Sequence, residues 1–309
     1  MTEGLDIASY VILPIIGFLG MYSGGYWGIG CSWLIVPVML FLDSTPMEAA
    51  GVALLQMTFS SFVPVAKTAR DLGWGKNSIG RNILLPISLA SLVFAMVGTK
   101  LNAFVYERMG GTAFNAMFAF VMLLFGINSL LAKPKNTNTS LEEVHPRDSV
   151  TAFLSGTWVG LLGALFGISG GMFIRPVLIQ KFKFPETVTG PSVRFVQLTT
   201  SCVGGLSYLF VHGTFNPKIL LSLSLIVIGG SIGFSHGVKL PKTVCDNGYA
   251  SHVNKSFSLV ALIVMTSLLL KLFDYTNAAK VVMTTIAVLL FIYLYTFGKF
   301  TENHKRELP

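Results

Sequence analysis

Apolar residues fall along the chain in long blocks broken by short polar stretches, at roughly 5–22, 28–42, 46–69, 78–101 and 109–132, then at 149–166, 170–182, 185–211, 216–240, 254–272 and 277–298. A helix crosses a bilayer core of about 30 Å with about 20 such residues. The blocks therefore predict an all-α polytopic membrane protein. One stretch has the composition of a loop, KPKNTNTSLEEVHPRD from Lys133 to Asp148, and it divides the chain near its middle. The expected organisation is a transmembrane unit over 1–132, a cytoplasmic linker over 133–148, a second transmembrane unit over 149–298 and a short charged cytoplasmic tail over 299–309.

The two units resemble each other. A shift of 139 positions pairs Gly17 with Gly156, Gly24 with Gly163, Gly28 with Gly167, Ile29 with Ile168, Ile35 with Ile174, Pro37 with Pro176, Val38 with Val177, Pro46 with Pro185 and Gly51 with Gly190. That is nine identities in 35 positions, against about 2 to 3 expected from average residue usage. Most are Gly or Pro, so what the halves share is a backbone path. Internal duplication is the usual architecture of secondary transporters.

Composition narrows the class. Of 309 residues, 52% are hydrophobic and only 12% charged, half the share of a soluble domain. The mean hydropathy is +0.68. These values exclude a cytosolic enzyme, a disulfide-rich secreted scaffold and a disordered chain. The net charge of +8 does not indicate nucleic acid, because Lys and Arg stand singly between apolar runs. Cys31, Cys202 and Cys245 are too scattered for a disulfide framework or a thiolate metal site. The first block follows Glu3 and Asp6 with no basic residue before it, so it reads as a retained segment and not as a signal peptide.

The basic residues set orientation instead. Lys67, Arg70, Lys76 and Arg81 follow the 46–69 block, whereas its counterpart near 212–218 has one lysine. The loop after 28–42 has no basic residue, and its counterpart has Lys181 and Lys183. Lys239, Lys242 and Lys255 outweigh Lys100 and Arg108 in the next pair. Each pair leans the opposite way, which predicts inverted-topology repeats with the N-terminus outside and the C-terminus in the cytoplasm.

Each unit opens with two short blocks joined by a glycine-rich break: Gly24-Gly25-Tyr26-Trp27-Gly28-Ile29-Gly30-Cys31-Ser32, then Gly163-Ala164-Leu165-Phe166-Gly167-Ile168-Ser169-Gly170-Gly171. For the loop charges to hold, the pair makes no net crossing, as either a re-entrant hairpin or two tightly linked spans. The second arms are only about 20 Å long, which favours the hairpin. A helix restarting after such a break presents unpaired N–H groups and about half a positive charge, an end suited to anions. Glycines spaced this way also serve helix packing.

This duplicated arrangement, clearest in GLLGALFGISGGMFIRPVL followed by FPETVTGPSV, resembles the TauE/SafE family of sulfite and organosulfonate membrane transporters over roughly residues 10–300. The resemblance implies a multi-pass inner-membrane protein that moves a small anionic sulfur compound: sulfite, thiosulfate or an organosulfonate. The chain departs from the family pattern at Gly30-Cys31-Ser32, where a triple glycine is usual, at Ser169 before Gly170-Gly171, and at Arg175, where an apolar residue is usual.

Arg175 and Arg194 lie inside apolar blocks, and their counterparts are Val36 and Leu55. A charge at the bilayer centre costs about 2.5–3.5 kcal/mol on insertion scales. Asp43, Glu48 and Glu186 all stand at block ends, so compensation comes from a bound anion, from backbone carbonyls or from snorkelling. Polar residues on the long helices that follow each break, Gln56, Thr58, Ser192, Gln197 and Thr199, could complete an anion site, although Ser and Thr also bond back to their own helix. Cys31 and Cys202 read as small packing residues.

Five histidines show no metal-ligand spacing and HExxH is absent. Only His236 falls plausibly within a helix. No catalytic set, cofactor or metal is expected, and the chain does not read as an enzyme. The expected substrate site draws on Gly28, Gly30, Cys31, Ser32, Gln56, Ser169, Gly170, Gly171, Arg175, Ser192 and Arg194. The partners are a small anion and the lipid bilayer, moved and crossed by alternating access. The alternatives are a membrane-embedded sensor or accessory protein of sulfur metabolism, or a passive anion channel.

Overall fold

The computed structural model describes residues 7–75, 78–131, 146–240, 244 and 250–307. Every described element is helical. In order they are α1 (Ile7–Trp27), α2 (Ser32–Phe41), α3 (Pro46–Ala69), α4 (Leu85–Leu131), α5 (Pro146–Leu165), α6 (Gly171–Gln180), α7 (Glu186–Leu206), α8 (Pro217–Gly237), α9 (Ala250–Leu272) and α10 (Thr276–Glu307). Local chemistry starts several of them. Thr45 and Glu48 form a reciprocal capping box on α3, with Pro46 in its first turn. Asn216 accepts the Ile219 N–H at the head of α8.

Polarity is distributed as lipid requires. Phe59, Val93, Phe104, Phe120, Phe210, Ile228 and Val281 are exposed, while Gln56, Ser91, Thr99, Asn102, Ser192, Gln197 and Ser201 are buried. Polar side chains are thus kept inside, set within an apolar core, while the exterior is greasy, as a lipid surround requires. Five helices among the described residues are long and apolar enough to cross a bilayer: α3, α4 with the turn before it, α8, α9 and α10. Within α4, Gly110 leaves helical geometry at φ 77° and ψ 176° and splits the rod in two, so the predicted gap at 102–108 is helical and the break falls at the glycine.

The pairing of helices is reciprocal between the halves. α1 packs on α8, and α5 packs on α4. In the first pair a Cβ at Gly17 would lie 2.1 Å from the Ile226 carbonyl oxygen; in the second, a Cβ at Gly156 would lie 2.3 Å from the Ile87 carbonyl oxygen. Gly237 meets Tyr22 as Gly98 meets Leu161. Both sets are related by the same 139-position shift, with the partner drawn from the opposite half. Such small-residue crossings let backbones touch, and dispersion then holds helices together in lipid.

Some boundaries differ from expectation. α1 continues to Trp27, through Gly24 and Gly25, because those glycines serve close approach: a Cβ at either would meet the backbone of Gly30 or of Gly237 and Val238. The linker expected over 133–148 lies outside the described residues except for its last three, where α5 has already begun. α10 runs through most of the expected tail, to Glu307. His252 and His304 join His236 within helices, since α9 begins before its apolar block and α10 ends after its own. Cys245 lies outside the described residues.

Candidate functional site

Two helix endings of the same type frame the interior. α1 stops with Gly28 at φ 70° and α5 with Gly167 at φ 70°, and in each the N–H of the following isoleucine reaches back to a glycine carbonyl, Ile29 to Gly24 at 3.1 Å and Ile168 to Gly163 at 2.8 Å. This is the left-handed glycine cap that closes a helix C-terminus. The chain then restarts as α2 and α6, each ten residues long, or about 15 Å at 1.5 Å per residue, half the thickness of a bilayer core. Two residues past each cap glycine stand Gly30 at φ 82° in the first half and Ser169 at φ 55° in the second. A serine held there is strained, and such strain gathers at functional sites.

The two restarts approach each other at Gln197, in the middle of α7. A Cβ at Gly30 would lie 3.1 Å from the Gln197 amide nitrogen, and one at Gly171 would lie 1.9 Å from it. That nitrogen donates to Ser169 Oγ at 3.3 Å, and Ser169 Oγ donates to the Ile168 carbonyl at 2.6 Å. Gln197 is fully buried, and its carbonyl oxygen has no partner among the described residues.

Beside this junction lie both arginines. Gly28 rests against Gly190 of α7: a Cβ on Gly28 would come 3.6 Å from the Gly190 Cα and 3.6 Å from Arg175 Nη1, and a Cβ on Gly190 would come 3.8 Å from Arg194 Nη2. The two guanidiniums are near enough for their charges to act on one another. Arg175 donates from Nη1 to the Trp27 carbonyl at 2.6 Å, so it closes the negative end of α1. Arg194 is 8% exposed and makes no hydrogen bond or ion pair among the described residues. Ser192, two residues earlier, has a buried hydroxyl without a partner among the described residues, as does Ser32 at the start of α2.

The remaining candidates separate. The Cys31 thiol, at the cap of α2, donates to Gln56 Oε1, and the Gln56 amide donates to Ser60 Oγ at 3.1 Å on the side of Gly230 in α8. Gln56 thereby ties α2 to α3, and Ser60 carries the link on to the Val227 carbonyl of α8 at 3.4 Å. Gly170 caps α6 at φ 76° against Val159. Thr58 bonds to Leu54 O and Ser201 Oγ, each at 3.0 Å, and Thr199 bonds back to Val196 O at 2.8 Å. Glu48 is committed to the α3 cap, while the side chain of Glu186 lies outside the described residues. The cluster is thus Gly28, Gly30, Ser169, Gly171, Arg175 and Arg194, with Gly190 and Gln197 added. Gly190 was signalled by its pairing with Gly51 across the duplication; nothing in the sequence singled Gln197 out from its polar neighbours.

Several known proteins are similar to this chain. It is 25% identical over 250 residues, 73% of its length and 87% of the relative's, to probable membrane transporter protein YunE of Bacillus subtilis. It is 28% identical over 225 residues, 68% of its length and 77% of the relative's, to a probable membrane transporter protein of Methanocaldococcus jannaschii. A probable membrane transporter protein of Haemophilus influenzae is 23% identical over 264 residues, 83% of this chain and 97% of that one. No solved structure matches it significantly. The family model described as sulfite exporter TauE/SafE matches residues 13–268, and the multi-pass membrane protein described here belongs to that family of transporters.

Proposed function

We infer that the protein is a secondary carrier that moves a small anionic sulfur compound (sulfite, thiosulfate or an organosulfonate) across the inner membrane by alternating access. The observation that carries the reading is Arg194, a guanidinium withdrawn from water, without a protein partner among the described residues, one turn from the Gly28–Gly190 contact. Its fork geometry matches an oxyanion. The N-termini of α2 and α6 converge on Gln197 beside it, and each contributes unpaired N–H groups and partial positive charge. Arg175 holds α1 in place and adds field. Ser32 and Ser192 offer further donors. The description of the matched family as sulfite exporters supports sulfur oxyanions as the substrate class.

The reciprocal α1–α8 and α5–α4 crossings support reading 1–132 and 149–298 as inverted repeats, with the broken pairs α1–α2 and α5–α6 entering from opposite leaflets. Lys67 in the last turn of α3 fits a cytoplasmic end there, an external N-terminus and a cytoplasmic C-terminus. The test is flux of labelled sulfite and thiosulfate, with matched carboxylates alongside, into proteoliposomes. The wild type moves the sulfur oxyanions and shows counterflow against a trans gradient, as a carrier does and a channel does not. Arg194→Leu loses the flux while retaining its fold; undiminished flux in that variant removes Arg194 from the mechanism.

A further inference from the structure

Away from the central site, α9 and α10 enclose a cleft of about 410 Å³ whose walls change character along its length. At one end stand His252, Lys255 and Ser256 of α9 and Tyr293 of α10. Lys255 is the first residue of the apolar stretch of α9, which sets this end at the border of the hydrocarbon. His252 stacks on Phe297 of α10 at 5.3 Å between ring centres, and Tyr293 stacks on the same ring at 5.6 Å. Aromatic and basic residues together mark a membrane interface. Away from this end the lining is wholly aliphatic. Val260 and Leu290 form a buried floor, and Leu259 and Leu289 form a rim that is 58% and 55% exposed.

The geometry points to a binding site for one anionic phospholipid in this cleft. The occupant must carry negative charge where Lys255 sits and apolar chain where Leu259 and Leu289 face the bilayer, about 6 Å deeper at the helical rise. A phospholipid with an anionic head has that layout, and basic pockets between transmembrane helices take such heads. Free phosphate satisfies only the cationic end. A second copy of the chain would place its own apolar surface beside Lys255 without neutralising it.

Native mass spectrometry of the full chain, released from bilayers of equal phosphatidylglycerol and phosphatidylcholine, reads the site. The expected result is one retained phosphatidylglycerol per chain, in clear preference to phosphatidylcholine. Lys255→Gln lowers that preference about fivefold, the equivalent of the about 1 kcal/mol that one interfacial lysine contributes. Leu289→Trp, at the exposed rim, fills the groove and abolishes retention with the lysine still present. Equal retention of the two lipids, an unchanged preference in Lys255→Gln, displacement of the lipid by inorganic phosphate, or dimers in place of lipid adducts would each overturn the assignment.

Discussion

Gly17→Ala and Gly156→Ala probe the reciprocal packing that aligns the two breaks. In both, the new methyl meets a backbone carbonyl, at 2.1 Å for Gly17 on Ile226 and 2.3 Å for Gly156 on Ile87. Ordinary contact begins near 3.4 Å, so the helices must part by about 1.3 Å and 1.1 Å. No rotamer change relieves a clash between a Cβ and a backbone. A gap of 0.5–1 Å already forfeits about a quarter to a half of each facing dispersion contact. The crossing is long: Gly229, Gly233 and Gly237 of α8 lie against the carbonyls of Pro14, Phe18 and Tyr22. Each substitution should therefore destabilise by about 1–3 kcal/mol. Gly111→Ala is the control, with nothing within 4 Å of its Cβ, and should stabilise by about 0.5–1 kcal/mol through helix propensity alone. Denaturant unfolding in mixed micelles gives all three. The reasoning fails if Gly17→Ala and Gly156→Ala track Gly111→Ala, or if only one of the pair is damaging.

The two arginines should part company in the same assay without substrate. Arg194→Leu removes a buried charge that no described residue compensates and should raise stability by up to about 3 kcal/mol, whereas Arg175→Leu exposes the α1 terminus at Trp27 and should lower it by at least about 1 kcal/mol; equal losses in both would show that Arg194 has a protein partner. Burial holds His212, in the loop before α8, below its ordinary 6.5, with Lys100 acting in the same direction and Glu107 against it. The folded state thus resists a proton that the unfolded chain accepts, so stability is complete above pH 6.5 and declines as pH falls from there to the folded value. His212→Gln should flatten that decline in a pH series of unfolding curves, and an unaltered slope would assign it to another group.

How much of this was legible in the sequence follows from what each residue does. The helices were, because lipid demands long apolar runs, and the ten-residue arms were, because glycine and proline fix backbone paths. The left-handed caps at Gly28 and Gly167 were visible as repeated glycines. Gly24 and Gly25 were not distinguishable from them, since a glycine chosen for close approach has the same letter as one chosen for φ. Arg175 and Arg194 looked equivalent as isolated charges. Only the fold separates them, by bringing the Trp27 carbonyl, 148 residues away in sequence, to one and, among the described residues, none to the other. Gln197 gained its place between the breaks from the crossing of α7 with both restarts, a long-range consequence of packing that no local pattern encodes.

A density map of the protein in nanodiscs saturated with thiosulfate tests the central claim most directly. The account predicts an added peak within hydrogen-bonding distance of the Arg194 guanidinium, between the first turns of α2 and α6 and beside Gln197. A peak elsewhere, or an Arg194 turned onto a carboxylate with the space between the restarts filled by side chains, would contradict it.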